Sequence, residues 1–264
     1  MRIDLSGKRA IVTGSTVGIG FAIANGLAEA GATVVINGRS QKSVDAAKDR
    51  LRKKLPQAKV EGVVADLATA AGAAAFIRDA GDADILVNNV GIFEPKAFVD
   101  IPDADWQRFF DTNVMSGIRM ARHYFPQMLK RGWGRIVFIS SESGLNTPTE
   151  MIHYGMTKTA QLAISRGLAQ AAAGTAVTVN AVLPGPTRSE GVVDFMGKLS
   201  AGQNLSQADM EKKLIAEGRP SSIIQRLATP EEVANMVVYV CSPQASATTG
   251  AALRVDGGVV QTIA

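Results

Sequence analysis

Thr13-Gly14-Ser15-Thr16-Val17-Gly18-Ile19-Gly20 follows the short apolar run Ala10-Ile11-Val12 and precedes a stretch of helical periodicity over residues 18 to 30. A strand ends here and a helix begins. Glycine lets such a turn take unusual dihedrals and lets the backbone approach a pyrophosphate, while the amides at the helix start face the negative charge. A glycine-rich turn in this strand–turn–helix context reads as a nucleotide cradle, against the plainer reading of a merely tight turn.

Working outward, short runs rich in Val, Ile and Leu alternate with longer helical stretches, the pattern of βαβ units. The expected strands are 8 to 14, 32 to 38, 59 to 65, 84 to 89, 134 to 140, 176 to 182 and 250 to 256. The expected helices lie near 18 to 30, 41 to 55, 69 to 80, 103 to 131, 151 to 173 and 230 to 241. The strands lack polar alternation, as expected where helices cover both faces of a parallel sheet. No repeat or linker marks a second domain, so residues 1 to 264 are expected to form one α/β domain. Residues 186 to 226 mix Gly, Ser, Pro and charge with apolar residues, and read as an irregular, mobile cover of loop and helix over the site.

Composition narrows the function classes. With 46% hydrophobic and 20% charged residues the balance is that of an ordinary globular chain. The net charge of +4, from 28 basic and 24 acidic side chains, is too small and too scattered to argue for nucleic acid or a membrane surface. The densest basic run, Arg50 to Lys54, reads as a solvated helix end. Cys241 is the sole cysteine, which excludes an intrachain disulfide, and no Cys/His spacing suits a metal. With no apolar targeting core at the N-terminus, a cytoplasmic location is the default.

Tyr154-Gly155-Met156-Thr157-Lys158 carries the chemistry. On a helix a four-residue separation puts Tyr154 and Lys158 on one face, about 6 Å apart along the axis. A phenol beside an ammonium has its pKa drawn down toward neutrality. The pairing alone is a common accident, equally met as a lysine stem beside a packed ring. Ser140 and Ser141 end the stretch 134 to 141, whose apolar run closes in two hydroxyls, and open parallel sheets bind ligands outside the carboxyl ends of their strands.

Thr13 to Gly20, Asn88-Asn89-Val90-Gly91, Asn113, Ser141, Tyr154-x-x-x-Lys158 and Pro184-Gly185 stand in the order and approximate spacing of the short-chain dehydrogenase/reductase family, which the chain resembles from about Leu5 to Val255-Asp256-Gly257-Gly258. The resemblance implies a doubly wound Rossmann-type sheet of seven strands in the order 3-2-1-4-5-6-7. It also implies hydride transfer between a nicotinamide cofactor and a ketone or secondary alcohol. By the same warrant Tyr154 is the general acid or base, Ser141 orients the substrate oxygen, Lys158 holds the nicotinamide ribose and lowers the tyrosine pKa, and Asn113 positions a water in the proton relay. The elementary chemistry agrees, since hydride addition to a carbonyl builds an alkoxide that needs a proton donor. Ser140 is the rival for Ser141, and a purely structural role stays open for Asn113.

Cofactor contacts are expected from Gly14, Ser15, Thr16, Gly18, Ile19, Gly20, Asp66 and Leu67 near the adenine, Asn89, Gly91, Tyr154, Lys158, Pro184, Gly185 and Thr187. NAD-binding members usually carry an acid where this chain has Gly38, and Arg39 follows it. A guanidinium there suits a 2′-phosphate, so NADP(H) is expected, with NAD as the alternative. The implied assembly is a homotetramer or homodimer through the helices near 103 to 131 and 151 to 173.

The chain resembles 3-oxoacyl-carrier-protein reductases in general form, while sugar, steroid and small-alcohol dehydrogenases stay open. A non-catalytic nucleotide-binding redox sensor is the reading from another class. His153 is expected either to touch substrate or to face solvent. Trp106 and Trp133 read as packing residues, and no paired arrangement of Asp and Glu demands carboxylate chemistry.

Overall fold

A computed structural model describes residues 2–201 and 206–263. Seven strands, β1 (Arg9–Val12), β2 (Thr33–Gly38), β3 (Val60–Val64), β4 (Ile85–Asn88), β5 (Gly134–Ile139), β6 (Val177–Pro184) and β7 (Ala252–Val255), form one sheet in the order β3-β2-β1-β4-β5-β6-β7. Every pairing is parallel. This is the doubly wound Rossmann-type architecture, and its switch point falls between β1 and β4, where the strand order reverses and ligands bind.

Period-two alternation sends neighbouring strand residues into two separate cores. Ala10 and Val12 pack with Phe21 and Leu27 of α1 (Gly18–Glu29), Leu51 of α2 (Gln41–Lys54) and Val237 of the helix Pro230–Cys241. Ile11 packs the other way, with Phe76 of α3 (Ala70–Ala80), and with Met120 and Tyr124 further along the chain. The central strands β4, β5 and β6 are buried throughout, which is why they read as unbroken apolar runs.

The expected helix over 103 to 131 is two helices joined by a wider turn. α4 (Asp103–Phe110) runs into a π-helical turn at Asp111–Met115, and α5 (Ser116–Arg131) continues from it. Such turns occur mostly as single interruptions near functional sites, and this one carries Asn113. α6 (Ile152–Ala171) brings Tyr154 and Lys158 back beneath the carboxyl end of β5.

Residues 186 to 226, expected as a cover of loop and helix, are largely helical. They hold α7 (Glu190–Ala201) and α8 (Gln207–Gly218), while 202–205 of this segment lie outside the described residues. Met196, Met210, Ile215 and Leu227 form a small cluster of their own, apart from both main cores. The mixed polarity of the sequence follows from that small cluster, since two amphipathic helices share only a few buried side chains. α9 (Pro230–Cys241) then starts firmly: Thr229 accepts from the Glu232 amide, Glu232 accepts from the Thr229 amide, and proline occupies the first turn. Among the described residues no helix is long and apolar enough to cross a membrane.

Candidate active site

The glycine turn is held open by side chains from two strand ends. Gly14 and Gly18 have φ of 60° and 58°, the left-handed region that glycine occupies without strain. Asn89 donates through its amide to the Thr13 and Gly14 carbonyls, at 3.0 and 2.9 Å. Asn37 accepts from the Gly14 amide and donates to Val63 and Ala65, tying the turn to β3. Asn37 was not among the expected site residues, although a buried asparagine ending β2 beside the turn is a readable signal.

α1 begins without a side-chain cap and without an acid in its first turn. Its first amides therefore lack a protein partner for their positive end, and fit a pyrophosphate. Gly38 abuts this turn so closely that an added Cβ would stand 2.5 Å from Thr16 Cγ2. An acid at position 38 has no room in this arrangement. Arg39 beside it is exposed and unpaired with any carboxylate among the described residues. Arg50 is exposed, as expected, and also stacks on Phe21 at 3.5 Å from the ring centre and donates to Thr16 O.

At the third strand end, Asp66 is exposed and accepts from the Ala68 amide at 3.1 Å. Leu67 lies in the core with its side chain buried, so an adenine ring at this edge meets its backbone only. Gly91 has space in front of it that an added Cβ would fill, 3.4 Å from Lys158 Nζ and 3.6 Å from Asn113 Oδ1. The strip from the glycine turn past Gly91 to Lys158 thus fits a nicotinamide dinucleotide.

Beyond that strip lies a cavity of about 460 Å³ whose lining includes Ile19, Asn89, Gly91, Ser141, Tyr154, Lys158, Pro184, Gly185 and Thr187. Ser140 and Ser141 both follow β5 and separate in role. Ser140 Oγ donates to Lys158 O at 2.8 Å and braces α6. Ser141 lines the cavity together with Tyr154. Thr187 is buried and donates to Gly185 O, so its hydroxyl is already engaged.

Lys158 Nζ lies 5.5 Å from the centre of the Tyr154 ring but bonds elsewhere, to Ile139 O at 3.0 Å and to Gln161 Oε1 at 3.4 Å. Burial lowers its pKa to about 8, partly countered by the Glu142 charge. The expectation that Lys158 draws the Tyr154 pKa down is not met. Burial, and then the negative charge of Glu142, push the phenol up, while Ser141 and Arg219 pull weakly the other way. The ammonium points past the phenol to the backbone of β5, so its field on the hydroxyl is small.

Asn113 is fully buried: its Oδ1 accepts from the Ile92 amide at 2.8 Å, and its Nδ2 donates to Ile92 O and Thr157 Oγ1. Its side chain ties the wide turn to α6. Its main-chain carbonyl receives Gln161 Nε2 at 2.6 Å. Gln161 thus links Asn113 to Lys158, a connection signalled by a polar residue one helical turn past Lys158.

Glu142 also escaped the sequence reading. It directly follows Ser141, is 4% exposed, accepts the Ser141 hydroxyl proton and pairs with Arg219 of the segment after α8 at 2.9 Å. His153 neither faces solvent nor reaches the cavity. It is buried against Phe109 and Trp106, with both ring nitrogens unpartnered, and burial lowers its pKa.

A family model described as enoyl-(acyl carrier protein) reductase matches residues 14–260. The chain is 48% identical over 263 residues to an uncharacterized oxidoreductase, YvaG, of Bacillus subtilis, covering 100% of both chains. It is 33% identical to the 3-oxoacyl-[acyl-carrier-protein] reductase FabG of Aquifex aeolicus, over 98% of this chain and 100% of that one. Among solved structures, the L-sorbose reductase of Gluconobacter frateurii complexed with NADPH and L-sorbose superposes with a TM-score of 0.93 at 32% identity, with 100% of both chains covered.

Proposed function

Since the chain belongs to the short-chain dehydrogenase/reductase family of NAD(P)-dependent oxidoreductases acting on CH–OH groups, we propose that it reduces a ketone to a secondary alcohol with NADPH, Tyr154 donating the proton. The observation that carries this reading is the meeting of Ser141, Tyr154 and Lys158 in one cavity at the end of the strip that fits the dinucleotide.

NADPH, when bound, supplies hydride to the carbonyl carbon. This chain's residues do the rest. Ser141 orients the carbonyl oxygen, and Tyr154, kept protonated by burial, gives its proton to the developing alkoxide. Lys158 holds the nicotinamide ribose, Gln161 holds Lys158 and ties it to Asn113, and Asn113 positions a water in the relay that refills Tyr154. The uncapped start of α1 and the amides of Thr16, Gly18, Ile19 and Gly20 take the pyrophosphate, whereas the expected Ser15 is buried with its amide already donated to Asn37 O at 2.9 Å and only shapes the turn. Arg39 takes the 2′-phosphate, favoured by the absence of an acid at Gly38. The whole chain acts as one catalytic domain, with α7 and α8 as cover, in the cytoplasm as a homotetramer or homodimer.

A ketone panel with NADPH and NADH tests this. NADPH should be preferred, Tyr154→Phe should lower kcat by about 100-fold or more, and Arg39→Ala should reduce the NADPH preference by about tenfold. Turnover surviving Tyr154→Phe would remove the proton-transfer role, and an unchanged cofactor preference in Arg39→Ala would remove the phosphate contact.

A further inference from the structure

Glu142 is a buried carboxylate in contact with the residue that orients the carbonyl, and the chemistry above makes no use of it. A serine hydroxyl has one proton and two lone pairs. The Ser141 proton goes to Glu142 Oε2, and the Ser143 amide donates to Ser141 Oγ at 3.1 Å. The single proton of Ser141 is therefore already engaged. To orient a carbonyl oxygen, Ser141 must turn its proton away from Glu142.

A simple ketone offers only an acceptor, so binding it would leave a buried carboxylate oxygen short of a donor, which is costly. A hydroxyl on the carbon next to the carbonyl supplies that donor. When such a group is eclipsed, its two oxygens lie about one hydrogen bond apart, the same relation as the direct Ser141–Glu142 contact. The carboxylate has spare lone pairs beyond those used by Ser141 and Arg219, and Glu142 lines the cavity.

Resting on the ketone-reductase reading, we propose that Glu142 is the specificity-determining residue and selects α-hydroxy ketones for reduction, and vicinal diols in the reverse direction. The substrate hydroxyl donates to Glu142 and releases the Ser141 proton toward the carbonyl. The carbonyl carbon gains hydride from the reduced nicotinamide, and its oxygen gains the Tyr154 proton. The ketone becomes a secondary alcohol as the nicotinamide is oxidised by two electrons.

Wild-type enzyme with NADPH, assayed on hydroxyacetone, methoxyacetone and 2-butanone, tests this together with Glu142→Gln. Methoxyacetone keeps the oxygen and loses only the donated proton. The expected kcat/KM of the wild type for hydroxyacetone exceeds that for methoxyacetone and 2-butanone by about tenfold or more, as for a hydrogen bond to a charged group. In Glu142→Gln, with folding checked by thermal melting, the ratio of hydroxyacetone to methoxyacetone kcat/KM should fall toward one. Equal rates for the hydroxy and methoxy ketones, or a variant that lowers both by the same factor, would overturn the role of Glu142 and leave the ketone reading standing. No turnover of any carbonyl would overturn both readings.

Discussion

Lys158 is 4% exposed yet carries an ammonium held by one carbonyl and one amide oxygen. Its folded pKa, about 8, lies below the ordinary 10.5 of an unfolded chain. Below pH 8 both states are protonated and folding bears the full cost of the buried charge. Between 8 and 10.5 the unfolded chain binds more protons than the folded one, so stability rises with pH until the cost is gone. Removing the charge should therefore stabilise the cofactor-free protein. Lys158→Met is expected to gain about 1–3 kcal/mol at pH 7, with the gain shrinking from pH 8 to 10 and activity lost. Denaturant melts of both proteins across that range check it, and a gain constant with pH would show that burial of the ammonium is not its source. The same residue marks a limit of the sequence reading. Its placement beside Tyr154 was legible from helical spacing, but its orientation was not, because that is set by Ile139 and Gln161.

Among the elements, the strands were legible because burial on both faces leaves unbroken apolar runs, and the glycine turn because its dihedrals admit few other residues. The cover was not. α7 and α8 share the small cluster around Met196, Met210, Ile215 and Leu227, too little apolar surface to impose a clear period. Glu142 was illegible for a related reason: its partner Arg219 stands 77 residues away, and only the folded chain brings them together. Elements tied down by so few buried side chains open at lower free energy than the sheet. Amides of α7 and α8 should exchange hydrogen faster than those of β4, β5 and β6 by at least about tenfold, and Arg219→Ala should speed the end of α8 further without affecting the sheet. Exchange mass spectrometry reads this directly. Equal protection of cover and sheet would show that the small cluster is not the weak point.

At the scale of the molecule, the sheet order and the meeting of the glycine turn with α6 were both legible from motif order. Assembly is a separate matter, expected from the family resemblance. Phe98, Val99 and Phe110 expose apolar surface at the two ends of α4, beside the helices assigned to the interface. Light scattering should give two or four times the 27.7 kDa chain mass, and a single-chain mass would exclude the homotetramer and homodimer alike. The wide turn at Asp111–Met115 has a bearing on the whole packing. It sets the phase between α4, which packs on His153 through Phe109, and α5, which lays Met120, Tyr124 and Met128 on the sheet. Each residue of a helix advances it by about 100°. Loss of one residue there would leave either α4 or α5 facing the wrong way, so the length of this stretch is constrained as well as the buried Asn113 side chain within it.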